Sequence, residues 1–114
     1  MAVRTIIFRG KRKDNGEWIE GDICHHDGIV SYIGQSPMDG SMVCYELDPS
    51  TVGQYTGLKD KNGKRIFENG YMIIDKQTYK VLFDNGEYIL KNIFNCDIIQ
   101  LKNNSNIGVF VDEI

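Results

Sequence analysis

Proline is nearly missing from the sequence. Pro37 and Pro49 are the only two in 114 residues, and neither lies in a Pro-rich or Ser/Gly-rich stretch. A linker or an extended polyproline segment is therefore not expected. Cysteine is also scarce. Cys24, Cys44 and Cys96 are odd in number and widely spaced, which fits reduced thiols better than a disulfide scaffold. No apolar run approaches the ~18–20 residues that a membrane helix needs, so no membrane association is expected. The opening stretch from Met1 to Gly10 is basic but carries no apolar core of signal-peptide length. The expected location is the cytoplasm. Amphipathic helical spacing over ten or more residues is lacking too. Only Lys91 to Asp97 and Arg65 to Asn69 suggest a helical turn.

What the chain does have is turns. Asn-Gly occurs at positions 15–16, 62–63, 69–70 and 85–86, and Asp-Gly at 27–28 and 39–40. Both dipeptides tolerate the positive φ of tight hairpins. Between them lie short runs rich in Ile, Val, Tyr and Phe: 3–9, 17–24, 29–33, 42–47, 71–75, 78–84, 87–91, 97–101 and 107–111. This punctuation predicts an all-β or strand-dominated fold, a small sandwich or barrel built from short antiparallel hairpins. The length suits one domain, 1–114, with a subdivision conceivable into N-terminal strands 1–48 and a remainder 49–114. The hairpin at Asn85-Gly86 predicts its own register: Asp84 opposite Glu87, Phe83 opposite Tyr88, Leu82 opposite Ile89 and Val81 opposite Leu90. Tyr79, Val81, Phe83, Tyr88 and Leu90 then share one face. The other mixes Lys80, Leu82, Ile89 and Lys91, and so is partly covered or an interface. A β domain this small buries only about 65% of its unfolded surface, so assembly into a homo-oligomer is expected.

Charge is uneven along the chain. Residues 1–13 carry Arg4, Arg9, Lys11, Arg12 and Lys13 and no acid. Residues 14–58 carry eight acids and no Lys or Arg, and 59–114 hold eight of each sign. The simplest reading pairs the basic segment with the acidic one. A nucleic-acid patch formed by those five cations and the cluster at 59–65 is the sharper alternative. The net charge of −3 and the sequence pI of about 5.3 oppose it, because most of the surface would repel phosphate.

Catalytic and ligand motifs are weak. Cys24, His25 and His26 adjoin, but structural zinc takes four ligands and no second pair exists. No metal site is expected. A nucleophile needs a base and an orienting group, and no G-x-S-x-G elbow occurs. Glu20 and Asp22 would share a strand face near Trp18, which leaves a carboxylate pair as a third option. Trp18, Tyr32, Tyr45, Tyr55, Phe67, Tyr71 and Tyr88 could stack bases, although aromatics in small β folds more often form the core. The most distinctive segment runs from Thr51 to Lys64. Gly53 and Gly57 frame Gln54, Tyr55 and Thr56, but a phosphate loop would need G-x-x-x-x-G-K-[ST] before a helix. The segment reads as an ordered loop pinned by Tyr55, with Gly53, Gln54, Tyr55, Thr56, Gly57 and Lys59 as a candidate contact surface.

Here the sequence resembles the YopX family of small proteins encoded by phages and prophages. Its string V-G-Q-[YF]-T-G-L-x-D-x-N-G-K-x-[IL]-[YF]-E is matched from Val52 to Glu68. An opening I-x-F-R-G-K and an N-G-x-W-x-x-G-D are matched by Ile6 to Lys11 and by Asn15 to Asp22. Where the family pattern continues E-G-D, this chain has Glu68-Asn69-Gly70. The resemblance implies a strand-rich fold with an SH3-like small barrel in the C-terminal part, and a phage or prophage origin. The resulting expectation is a non-enzymatic accessory protein that binds a partner, first of all a protein, with nucleic acid as the alternative and no cofactor.

Overall fold

The computed structural model describes residues 6–27, 29–35 and 42–113. Among these the backbone is almost wholly extended: ten strands, one 3-10 helix at Ser105–Ile107 and no α-helix. Arg4 and the Asp39-Gly40 turn lie outside the described residues.

Contact density divides the described chain into two compact units, residues 6–54 and residues 55–113. The first is a ring. β1 (Phe8–Arg12) pairs with the first half of β2 (Trp18–His26), whose second half pairs with β3 (Ile29–Gln35). β3 pairs with the start of β4 (Met42–Lys59), and the following stretch of β4 returns to β1 with Phe8 opposite Gln54 and Arg12 opposite Leu47. Every pairing is antiparallel. Two long strands thus each serve two neighbours, and the circuit leaves few free edges to template aggregation. Leu47 and Val30 are the most buried apolar side chains among those described. Gly10 is needed beside Leu47, since a Cβ there would come within 2.9 Å of Leu47 Cδ1.

The second unit opens where β4 continues past Tyr55. β4 forms a hairpin with β5 (Arg65–Phe67), Tyr55 opposite Phe67 and Lys59 opposite Arg65. Then come β6 (Tyr71–Ile74), β7 (Gln77–Asp84), β8 (Glu87–Asn92), β9 (Ile98–Gln100) and β10 (Val109–Val111), in the antiparallel order β10-β6-β7-β8-β9. β6 to β9 form a four-strand meander, and the fifth strand, β10, returns through the 3-10 turn to pair with β6. The expected fold class holds. Ile66, Phe67, Met72, Val81, Leu90, Leu101 and Phe110 are at most 2% exposed and form the core. At roughly 1.5–3 kcal/mol per buried large apolar side chain, such a cluster is the main stabilising feature of this unit.

The β7–β8 hairpin has the register predicted above, residue for residue. Asn85 and Gly86 take φ of 50° and 82°, so both central positions are left-handed, as a type I′ turn requires. Two expectations are corrected. Arg65 to Asn69 holds strand β5 and a turn instead of a helical turn, because Ile66 and Phe67 are drawn into the core as neighbours of Tyr55. Lys91 and Asn92 end β8, and only a tight turn follows. At Asn69 φ is 70°, so the position where the family pattern has glycine keeps the glycine-like conformation that Asn tolerates.

Candidate functional site

From Arg9 to Lys13 the basic segment packs onto its own unit. Arg9 is buried, its guanidinium 4.2 Å from the Trp18 ring centroid. Arg12 lies 4.0 Å over the Tyr45 ring and its Nε donates to Asp14 Oδ1 at 2.9 Å. Lys13 Nζ meets Glu46 at 2.8 Å, and the Lys13 amide donates to the Glu46 carbonyl. The Arg12 hydrogen bond holds the Asp14 carboxyl below its usual range, and Glu46 raises Lys13. Pairing of basic with acidic segments is therefore realised at these positions. Lys11 donates its backbone amide to Thr51 Oγ1 at 2.8 Å.

The stretch read as a contact loop is strand. Residues 51–59 belong to β4. Gly53 is buried opposite Arg9 and has no positive φ; only Gly57, at 88°, does. Tyr55 is buried against Phe67 with ring centroids 5.6 Å apart, and Thr56 Oγ1 donates to the Ile66 carbonyl at 2.8 Å. Gln54 is half-buried, and Gly57 and Lys59 are exposed. The loop reading failed because glycines break the alternation of a strand that is built to pair on both sides.

Beyond Lys59 the hairpin turns on Asp60. This buried carboxylate accepts the amides of Asn62 (2.8 Å) and Lys64 (2.9 Å) on Oδ1 and that of Phe110 (2.8 Å) on Oδ2. Burial pushes its pKa up, but the three N–H donors and the Lys64 charge outweigh burial, and the net shift is downward. The acid is thereby consumed as a clamp on β10, while Lys59, Lys61, Lys64 and Arg65 all stay exposed at the tip. Lys64 lies 5.5 Å from the Phe110 ring centroid and Arg65 5.5 Å from that of Tyr55.

Other candidates are scattered. Glu20 and Asp22 are both exposed on β2, Cys24 is half-buried and His25 exposed. Among the described residues no group of three or more His, Cys, Asp or Glu side chains is placed to hold a metal ion. Of the aromatics, Tyr55 and Phe67 are core, Trp18 and Tyr45 lie under arginines, and Tyr88 packs 4.9 Å from Phe83.

Sequence reasoning placed a turn between Lys91 and Asp97 but overlooked what organises it. Asn92 is 2% exposed and organises it. Its Oδ1 accepts the amides of Phe94 (2.9 Å) and Asn95 (3.2 Å), and its Nδ2 donates to Gln77 Oε1. Asn95 Oδ1 accepts the Asp97 amide, and the Cys96 amide donates to the Asn92 carbonyl. This knot presents Phe94 at 86% exposure, flanked by the exposed Ile93 and Ile98. The signal was available as Asn-x-x-Asn around an aromatic, since Asn side chains fold back on nearby amides.

The fold and these surfaces define a strand-rich protein with a ring unit, a five-stranded antiparallel sheet unit and ordered, solvent-facing turns. The chain belongs to the YopX family, whose model, described as YopX protein, matches residues 7–109. No curated protein matches the chain.

Proposed function

We propose that this YopX-family chain is a phage or prophage accessory protein that works in the host cytoplasm by binding, without catalysing a reaction, and that its partner is a protein. The carrying observation is the apolar triplet Ile93, Phe94 and Ile98, exposed on a turn that Asn92 already fixes. An aromatic held out by a hydrogen-bonded turn loses little further freedom on docking, which is what interface anchors need. Self-assembly uses the same kind of contact. The test is affinity capture from host lysate with the full chain and with Phe94→Asp, alongside light scattering of both. Proteins retained by the wild type and lost by the variant support the reading. Identical retention by both, with a strict monomer at high concentration, overturns it.

The exposed cations of the 59–65 hairpin favour a second reading, contact with a nucleic-acid backbone. It requires binding to DNA that falls steeply with salt and that weakens in a Lys64→Gln, Arg65→Gln variant.

A further inference from the structure

We propose that the outer face of the β6–β9 sheet docks an acidic, apolar protein segment, with carboxylates held by Lys80 and Lys91 and an apolar side chain in the groove beside them. This inference rests on the binding reading above and gives it a surface and a partner chemistry.

The two lysines face each other directly across β7 and β8. Like charges in that position destabilise a strand pair, and among the described residues neither lysine has an ion-pair partner. Register places Tyr71 beside Lys80 and Ile98 beside Lys91, so the cations interrupt an otherwise apolar row. A groove of about 390 Å³ opens there, lined by Lys80, Leu82, Lys91, Asn92, Ile93 and Cys96. Its apolar lining is aliphatic. A segment carrying both acids and apolar side chains matches the charge and the lining together. Segments of this kind gain specificity from charge complementarity and affinity from the apolar contact.

The experiment is amide chemical-shift mapping on the full chain, titrated with a short synthetic peptide that alternates glutamate with leucine. Saturable shifts are expected around Lys80, Lys91, Ile93 and Cys96. Affinity should fall with added salt and drop roughly tenfold in Lys80→Gln, Lys91→Gln, whose unchanged spectrum elsewhere shows that it folds. A peptide with lysine replacing glutamate should leave the face unmoved. Absence of shifts at this face overturns the proposal, as does an equal response to the lysine peptide. Oligothymidine or anionic vesicles moving the face in place of the acidic peptide also overturn it. Peptide shifts confined to residues 59–65 remove this docking site while leaving the binding reading intact, which stands or falls on the Phe94→Asp capture.

Discussion

Residues 6–54 and residues 55–113 handle charge in different ways. In the first unit three cations are absorbed locally: Arg9 over Trp18, Arg12 between Asp14 and Tyr45, Lys13 against Glu46. Among its side chains whose burial is described, Leu47 and Val30 are the most deeply buried large apolar ones. The second unit has the opposite character. Its core holds seven large side chains at 2% exposure or less, and its lysines at the 59–65 tip and at positions 80 and 91 are turned outward. Dense packing lets a sheet carry the facing pair Lys80 and Lys91 on its surface, because the stability lost to like-charge proximity is small beside that of the core. In the first unit Arg9, Arg12 and Lys13 are instead spent on contacts to side chains of their own unit.

The sharpest way to break this contrast is to empty the core of residues 55–113. Phe110→Ala should lower stability by about 3–5 kcal/mol, read as a lower urea midpoint. Phe110 is 1% exposed, and its amide is also the anchor for Asp60. A loss below about 1 kcal/mol would mean that the burial around β10 contributes little, and the contrast would fail.

Next in size is Asp60→Asn. Both carboxylate oxygens accept backbone amides, whereas an amide side chain offers one acceptor and turns an N–H toward a donor. A loss of about 3 kcal/mol is expected near neutral pH. The pH dependence separates the charge from the shape. Because folding lowers the Asp60 pKa, its contribution is fully present above the ordinary carboxylate value of ~4. It disappears as the pH falls through the lower, folded value. Urea midpoints of wild type and variant should therefore converge on acidification. A constant gap down to the lowest accessible pH would show that the clamp does not depend on ionisation.

Legibility in the sequence followed the same division of labour. The β7–β8 hairpin was readable to the residue because Asn85-Gly86 fixes the turn and the alternation on either side fixes the faces. Opposite charge along the first fifty residues foretold pairing, which Arg12–Asp14 and Lys13–Glu46 realise. The path of β4 was hidden, since Gly53 and Gly57 look like loop residues. Gly53 in fact sits buried in a pairing with β1, which depends on long-range closure that local pattern does not encode. Asp60 was hidden for a related reason. A polar residue before an Asn-Gly turn reads as solvated, and its third partner, Phe110, lies fifty positions away. The Asn92 knot escaped because its anchors, Gln77 and Thr78, belong to a different strand.

The smallest expected effect sharpens the comparison from the charged side. Lys13→Gln removes a surface ion pair whose partner, Glu46, is also about half exposed. Such pairs contribute little to stability, so the urea midpoint should stay close to wild type. If the N-terminal cations are spent inside their own unit, this substitution should also leave any salt-dependent DNA retention unchanged. Lys64→Gln with Arg65→Gln should then reduce the dependence of log K on log salt by about two phosphate contacts. Equal loss of DNA retention from Lys13→Gln would mean that its contact with Glu46 gives way to phosphate, and the division between absorbed and outward charge would have to be redrawn at the ring unit.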